Sequence, residues 1–329
     1  MSEHNTARDV DHIDFDDNRL VAELSGEHDA HLAILEDALG VRIDPRGNRF
    51  AVRGDDGARV RALAALETLY EKLRRGEIVS AGEVRAAAKL TERAPAAAAT
   101  KETPSVAPSI KTPKRLISAR TPNQAAYLRK LGENDLTFGV GPAGTGKTYL
   151  AVAHAVGLLL SGAVERIVLS RPALEAGERI GFLPGDMKEK VDPFLQPLYD
   201  ALHDMMHADY VERRIAAGDI EIAPIAFMRG RTLARSAVIL DEAQNATPAQ
   251  MKMFLTRLGE GAHMAVTGNP SQTDLPHGET SGLAEALSIL SGVDGVAVAK
   301  FEASDVVRHP LVARIIDAYD ARKKSKKKS

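Results

Sequence analysis

The sequence contains no cysteine, no tryptophan and few other aromatic residues. The absence of cysteine excludes disulfide bonds, thiol nucleophiles and cysteine-ligated metal sites, which leaves oxygen atoms and imidazole nitrogens to bind any metal ion. Aromatic residues account for 4% of the chain. This small share does not indicate an extended platform on which nucleic-acid bases would stack.

Long apolar runs are also missing. No stretch approaches the roughly 18 consecutive apolar residues that a membrane-spanning helix requires. The polar, acidic start MSEHNTARDVDHIDFDD lacks the charged-then-apolar order of a signal peptide. We therefore expect a cytoplasmic protein with no membrane partner. Its 44% hydrophobic and 27% charged residues are typical of a globular chain.

The formal net charge of −2 conceals two charged ends. Residues 1–30 carry nine acids and two arginines, whereas the final segment ARKKSKKKS carries six positive charges. We expect residues 1–17 to form an acidic flexible leader and residues 321–329 to form a basic tail. Such a tail is typical either of a solubilising end or of a segment that attracts RNA phosphates without sequence preference.

The chain of 329 residues is longer than a typical domain, so we expect two domains joined by a linker. Residues 92–119 are rich in Ala, Pro, Ser and Thr, a composition typical of linkers. Residues 18–91 are predicted to form a small α/β domain. Its predicted elements are a strand at Arg19–Leu24, a helix at His28–Leu39, strands at Val41–Ile43 and Phe50–Val52, and a helix at Val60–Leu73.

In residues 120–320, apolar runs alternate with longer helical patterns. The runs lack polar alternation, which is typical of strands buried on both faces. We therefore predict an α/β domain with a parallel sheet that helices cover on both sides. The predicted strands are Leu136–Val140, Arg166–Ser170, Ala237–Leu240, Met264–Thr267 and Val296–Ala299.

The first of these strands leads into a phosphate-binding motif, in which a glycine and four further residues precede Gly-Lys-Thr. The motif consists of Gly141, Pro142, Ala143, Gly144, Thr145, Gly146, Lys147 and Thr148. An apolar helix is predicted at Tyr149–Leu160, so the N–H groups of the loop would meet phosphates beside a helix N-terminus. We expect Lys147 to contact the β- and γ-phosphates of ATP and Thr148 to ligate Mg²⁺. The alternative is a glycine-rich turn without a ligand.

Two carboxylates follow the apolar strand at Ala237–Leu240. We expect Asp241 to hold the Mg²⁺ shell and Glu242 to polarise or deprotonate the water that attacks the γ-phosphate. A carboxylate pair at a strand end is otherwise a solvated surface feature. The phosphate-binding motif in the same domain favours the catalytic interpretation.

Further candidates for γ-phosphate contact follow the last two strands. Asn269 and Gln272 come directly after the strand at Met264–Thr267 and would emerge at the same sheet edge as Asp241. A turn built from Gly, Asn and Pro is the alternative. Arg308 is a candidate for stabilising charge on the transferring phosphoryl group, in its own subunit or in a neighbouring one. Otherwise it is an ordinary surface arginine.

The combination of motifs resembles the PhoH-like family of bacterial ATPases over residues 110–320. The resemblance rests on GPAGTGKTYLA, on SRPALEAGERIGFLPGDMKEKVDPFLQPLYDAL, on FMRGRTLARSAVILDEAQNATPAQMKMFLTRLG and on TGNPSQTDLP. It implies a RecA-like P-loop NTPase core similar to one motor domain of the superfamily 1 helicases. It also implies that Gln124 contacts adenine and that Arg171, Asp241, Glu242 and Gln272 belong to the nucleotide site.

The small domain resembles the KH-like domain that precedes the ATPase core in this family. A KH domain that binds RNA clamps the nucleic-acid backbone with a G-x-x-G loop. The corresponding segment here, Gly26-Glu-His-Asp29, lacks the second glycine and carries two acids that would repel phosphate. RNA binding and a structural or assembly role both remain open for this domain.

Two functions from different classes follow. The first is an Mg²⁺-dependent ATPase, similar to RNA helicases, that couples hydrolysis to binding or remodelling of single-stranded RNA. Because one motor core is visible, a neighbouring subunit would complete its site, and the resemblance implies a hexameric homo-oligomeric ring. The second is a nucleotide-dependent switch that binds a protein partner without helicase activity. A small-molecule kinase shares the phosphate loop, but no signal for a lid or an acceptor pocket is found.

Overall fold

A computed structural model describes residues 10–92, 108–172, 187–276 and 279–306. The chain divides into two compact units. The first comprises Met1–Ser109 and Ser118–Ala125, and the second comprises Ile110–Ile117 and Ala126–Ser329. No helix within the described ranges has both the length and the apolarity that crossing a membrane demands.

The first unit packs four helices against a three-stranded antiparallel sheet with strand order β1-β3-β2. The elements are β1 Val10–Asp14, α1 Asn18–Ser25, α2 Ala30–Leu39, β2 Arg42–Arg46, β3 Arg49–Arg53, α3 Asp56–Arg74 and α4 Ala81–Glu92. Its core contains the fully buried side chains of Leu35 from α2, Phe50 from β3 and Leu66 from α3. Two predicted strands and two predicted helices of this unit are confirmed, with bounds shifted by a few residues.

The predicted strand at Arg19–Leu24 is wrong, because this segment is helix α1. The Asp17 side chain caps the helix by accepting a hydrogen bond from the Arg19 N–H (2.8 Å). Val21 and Leu24 are buried three residues apart, which is the spacing of one helix face rather than of a strand. Gly26 then ends the helix with a positive φ of 74°.

The predicted flexible leader at residues 1–17 is wrong over its described part. Strand β1 lies inside it and pairs with β3 along its whole length. Phe15 follows the strand and packs its ring against Phe50 and Tyr70. The apolar Val10, Ile13 and Phe15 thus gain burial that a leader would not offer.

The predicted linker at residues 92–119 also contains ordered structure. Strands β4 Ser109–Lys111 and β5 Leu116–Ser118 pair with each other, and Ile117 is buried. The turn between them closes where the Thr112 N–H and hydroxyl both donate to the Arg115 carbonyl oxygen (3.0 and 2.7 Å). Residues 93–107 lie outside the described ranges. The sequence did not predict these strands because each has only three residues, which is too few to show an apolar pattern.

The second unit is a six-stranded parallel sheet with helices on both faces and strand order β11-β6-β10-β9-β7-β8. Its strands are β6 Leu136–Val140, β7 Arg166–Arg171, β8 Ile220–Pro224, β9 Ser236–Leu240, β10 His263–Gly268 and β11 Val296–Lys300. Its helices are α6 Lys147–Ser161, α7 Met187–Met205, α8 Ala208–Ala217, α9 Pro248–Leu255 and α10 Gly282–Leu290, with α5 Pro122–Glu133 beginning in the first unit. The architecture is that of a P-loop NTPase, as predicted.

All five strands predicted for this domain are confirmed. Their apolar side chains face α9 and α10 on one side, in a core that includes Phe138, Val266 and Phe254. Helix α6 contacts β7, β9 and β10. The edge strand β8 was not predicted, because Glu221 interrupts its apolar run and pairs with Arg231.

Candidate nucleotide site

The phosphate-binding motif forms the loop between β6 and α6. All five residues of β6 are buried, so the loop starts from a fixed point at the carboxyl end of a central strand. Gly144 and Gly146 have φ angles of 82° and 83°, which favour glycine. At Gly141 (φ 144°) a Cβ would lie 2.4 Å from the Phe301 carbonyl oxygen, so no larger residue fits.

Lys147 is the first residue of α6 and is buried against the loop. Its Nζ donates hydrogen bonds to the carbonyl oxygens of Gly141 (2.9 Å) and Pro142 (2.7 Å). The Thr145 hydroxyl donates to the same Pro142 oxygen (3.0 Å). An ammonium group and the N–H groups of a helix N-terminus are therefore gathered at one loop, which is an arrangement that favours anions.

Asp241 lies directly after β9 and is 4% exposed. Its Oδ1 accepts hydrogen bonds from the hydroxyls of Thr148 (2.6 Å) and Thr267 (2.8 Å). Its Oδ2 lies 3.2 Å from Arg171 Nη2. The two predicted Mg²⁺ ligands, Thr148 and Asp241, thus meet although β10 separates their strands in the sheet.

This pair of oxygen ligands fits a hard divalent cation. Mg²⁺ prefers oxygen donors and commonly binds through one or two protein groups, with water and substrate phosphates completing its shell. Within the described ranges, no group of three or more His, Asp or Glu side chains is arranged to hold a metal ion. A cation held by Thr148 and Asp241 would therefore depend on substrate oxygens.

Glu242 follows Asp241 in a left-handed backbone conformation (φ 50°), which is uncommon for a residue with a side chain. Its carboxylate is 44% exposed. One oxygen, Oε1, lies 3.1 Å from Arg171 Nη2, and the other, Oε2, accepts a hydrogen bond from Gln244 Nε2 (2.5 Å). The strained backbone thus presents a fixed yet accessible carboxylate beside Asp241.

Arg171, at the end of β7, connects this carboxylate pair to α7. Besides its ion pairs with Asp241 and Glu242, it donates from Nη1 to the Phe194 carbonyl oxygen (2.8 Å). One guanidinium group thus faces two carboxylates and the backbone of a helix. The arginine that the family resemblance singled out contacts both predicted carboxylates in the structure.

A buried tyrosine lies beneath the loop. The Tyr127 ring packs against Gly139 of β6, where a Cβ would be 2.8 Å from the ring, and stacks edge-on against Phe301. Burial raises the pKa of Tyr127, and the negative charge of Asp241 adds to this effect. The phenol therefore stays neutral close to the carboxylate.

The segment after β10 reaches the same edge of the sheet as Asp241, because β10 and β9 are neighbours. The Asn269 N–H donates to Gln244 Oε1 (3.0 Å), and its side-chain oxygen accepts from the Ser271 hydroxyl (2.8 Å). Gln272 is exposed, and its N–H donates to the Asn269 carbonyl oxygen (3.0 Å). Asn269 is thus part of the turn, and the described contacts do not bring the Gln272 side chain to Asp241.

The described contacts leave two predicted residues untested. Gln124 belongs to the first unit, where it is buried in α5 and its Oε1 accepts a hydrogen bond from the Arg120 N–H (2.6 Å). Its predicted contact with adenine stays a prediction. Arg308 and the basic tail at residues 321–329 lie outside the described residues.

Thr267 and Gln244 are site residues that the sequence reasoning missed. A signal for Thr267 existed, since it is a hydroxyl at the end of an otherwise apolar strand. Gln244 follows Glu242 by two residues, but its contact with Asn269 depends on which strands are neighbours. Pattern alone does not reveal that adjacency.

Comparisons with known proteins identify the family to which this chain is similar. The family model described as "PhoH-like protein" matches residues 116–320. A "PhoH-like protein" of Bacillus subtilis (strain 168) is 51% identical over 297 residues, covering 90% of this chain and 93% of that protein. One of Mycobacterium bovis is 44% identical over 304 residues, covering 91% and 85%. "Protein PhoH" of Escherichia coli (strain K12) is 46% identical over 198 residues, covering 60% and 56%.

Proposed function

The chain belongs to the PhoH-like family, and we propose that it is a cytoplasmic ATPase that hydrolyses ATP with Mg²⁺. The observation that carries this proposal is the 2.6 Å contact between Thr148 of the phosphate loop and Asp241. That contact unites a phosphate-binding loop with a carboxylate beside a second, accessible carboxylate. Family membership and the parallel sheet indicate a nucleotide-binding enzyme.

The loop and the start of α6 would bind the triphosphate. Backbone N–H groups of Gly144, Gly146 and Lys147 would donate to phosphate oxygens, and Lys147 Nζ would exchange its bonds to the loop carbonyls for bonds to the β- and γ-phosphates. Mg²⁺, held by Thr148 and Asp241, would neutralise charge on the same phosphates. Thr267 and Arg171 keep the Asp241 carboxylate in place for that role.

Glu242 would accept the proton of the attacking water. The water oxygen forms a bond to the γ-phosphorus while the bond from that phosphorus to the ADP oxygen breaks, which yields ADP and phosphate. The proton released by the water goes to the Glu242 carboxylate. Arg171 and Gln244 each hold one oxygen of this carboxylate, so its orientation is set before substrate arrives.

The alternative is a nucleotide-dependent switch, in which ATP changes partner affinity without turnover. Phosphate release by the wild type and by Glu242→Gln separates the two, with ATP affinity measured alongside. We expect Glu242→Gln to retain ATP binding and to lose at least about 100-fold in rate, as general-base removal does. Equal, negligible release by both proteins with tight ATP binding would establish the switch instead.

We further propose that hydrolysis is coupled to single-stranded RNA. Support comes from the resemblance to helicase motor cores and from the basic tail. The Gly26–Asp29 segment between α1 and α2 lacks the second glycine and carries two acids, so it adds no support for RNA contact. Stimulation of phosphate release by single-stranded RNA, declining with salt, would support coupling. No stimulation would shift the proposal to a protein partner.

A homo-oligomeric ring would complete the site if Arg308 acts on a neighbouring subunit. The test mixes subunits that carry Lys147→Ala with subunits that carry Arg308→Ala. Recovery of turnover in the mixture supports a shared site, because some interfaces then combine the intact loop of one variant with the intact arginine of the other. Inactivity of the mixture together with monomeric sedimentation would contradict the ring.

A further inference from the structure

Gln244 lies between the two halves of the site. It is 4% exposed and follows Glu242 by two residues. Its two amide atoms serve different partners, because Nε2 donates to Glu242 Oε2 (2.5 Å) and Oε1 accepts from the Asn269 N–H (3.0 Å). A single side chain therefore joins the exposed carboxylate to the loop that follows β10.

The chemistry of these partners requires an amide. A carboxylate only accepts hydrogen bonds and a backbone N–H only donates, so the group between them needs one donor and one acceptor. This requirement also fixes the orientation of the Gln244 amide. In the flipped orientation Oε1 would face the Glu242 carboxylate, which is also an acceptor, and Nε2 would face the Asn269 N–H, which is also a donor. Glutamate at this position would place a second negative charge against Glu242.

The backbone of Gln244 extends the connection. Its carbonyl oxygen accepts hydrogen bonds from the hydroxyls of Thr273 (3.2 Å) and Ser281 (2.9 Å). At Gly268 a Cβ would lie 2.6 Å from Gln244 Oε1, so the absence of a side chain lets the end of β10 approach the amide. Residues 268–273 are thereby held at both ends by one residue.

We propose that Gln244 is a positioning residue that couples the orientation of Glu242 to residues 268–273. The proposal rests on the proposed ATPase function. Its physical basis is that Glu242 is half exposed and has two polar neighbours, Arg171 and Gln244. Movement of residues 268–273 on nucleotide binding would change the hydrogen bond from Gln244 Nε2 to Glu242 Oε2. The orientation of the Glu242 carboxylate would change with it.

Two substitutions separate the two hydrogen bonds. Gln244→Met has a similar length but neither donates nor accepts through nitrogen or oxygen, so both bonds are lost. Gln244→Glu keeps an acceptor for the Asn269 N–H but removes the donor to Glu242. Gln196→Met is the matched control, because Gln196 is exposed on α7 and bonds Asp200 within the same helix.

The measurements are kcat for phosphate release, ATP affinity, and hydrogen exchange at the Asn269 amide. Loss of the correct orientation of the Glu242 carboxylate lowers kcat but leaves ATP binding intact. We therefore expect both Gln244 variants to lose about 100-fold in kcat, with an ATP affinity within about twofold of the wild type. Exchange at Asn269 should rise in Gln244→Met and stay near wild type in Gln244→Glu. In a Glu242→Gln background, Gln244→Met should add no further loss of kcat, because the residue acts through Glu242.

Several results would overturn the assignment. If the wild type is active and Gln244→Met keeps its kcat within about twofold, the positioning role fails while the ATPase function stands. Parallel losses of kcat, ATP affinity and thermal stability would show a structural role only. If the wild type itself releases no phosphate, the proposed function fails, and the kinetic role of Gln244 fails with it. Unchanged Asn269 exchange in Gln244→Met would refute the connection to residues 268–273 in either case.

Discussion

The burial of His154 predicts that the stability of the second unit depends on pH. His154 lies on α6 and faces His263 at the start of β10, with ring centroids 6.4 Å apart at an interplanar angle of 82°. The two rings border a small cavity otherwise lined by apolar side chains of α5, α6, β9 and β10. His154 Nε2 and His263 Nδ1 are buried and have no hydrogen-bond partner within the described part of the chain.

Burial lowers the pKa of His154 from its ordinary value of 6.5 to about 4, and the positive charge of His263 adds to this effect. A hydrogen bond with the Leu131 backbone acts in the opposite direction but is weaker. The unfolded chain therefore binds a proton at His154 before the folded chain does. Stability is fully present above pH 6.5 and falls as the pH decreases from 6.5 towards 4.

The magnitude follows from the two pKa values. The full difference corresponds to about 3 kcal/mol, since each pH unit between them is worth roughly 1.4 kcal/mol. About 2 kcal/mol of this should be lost between pH 7 and pH 5. Such a loss is a large fraction of a typical unfolding free energy of about 5–15 kcal/mol.

The assay compares wild type with His154→Gln, which keeps polarity but does not titrate. The free energy of opening is measured at both pH values from urea-dependent hydrogen exchange of α6 peptides, which reports the second unit without averaging over the first. Wild type should lose about 2 kcal/mol more than His154→Gln on going from pH 7 to pH 5. An equal loss of the free energy of opening in the two proteins would show that protonation of buried His154 is not its cause.

Two further predictions concern local structure. Gly141→Ala should lower ATP affinity at least about tenfold and destabilise the second unit by about 1–3 kcal/mol, because its Cβ would overlap the Phe301 carbonyl. Gly132→Ala in α5, where a Cβ meets nothing within 4 Å, should leave ATP affinity unchanged in the same titration. Thr247→Ala should cost about 1 kcal/mol in urea unfolding, because it removes the capping box of α9. Thr256→Ala at the other end of that helix should cost less than about 0.5 kcal/mol, and equal costs would contradict the capping argument.

The sheet of the second unit was predictable because burial on both faces leaves a direct signal. The run Ala237–Leu240 is apolar without interruption, and the motif that follows Leu136–Val140 locates the phosphate loop. The edge strand Ile220–Pro224 lacks that signal because Glu221 interrupts its apolar run. In the first unit, Arg19–Leu24 is too short for its apolar periodicity to distinguish a helix from a strand. The Asp17 side chain, which caps the segment, indicates a helix.

The candidate site was predictable where residues carry their chemistry in sequence order. Recognisable strands precede Lys147, Thr148, Asp241 and Glu242. In the structure Thr148 contacts Asp241, and Glu242 contacts Arg171. The contacts of Gln244 were not predictable, because they depend on β10 lying beside β9. Tertiary adjacency of this kind is absent from local pattern.

We propose that the phosphate loop and the Asp241–Glu242 pair together hydrolyse ATP. The decisive measurement is release of phosphate from ATP by the purified chain, with and without Mg²⁺ and in comparison with Lys147→Ala. We predict Mg²⁺-dependent turnover by the wild type and a loss of at least about 100-fold in Lys147→Ala. Turnover that is equal in both proteins, or absent from the wild type under all conditions that permit ATP binding, would contradict the account.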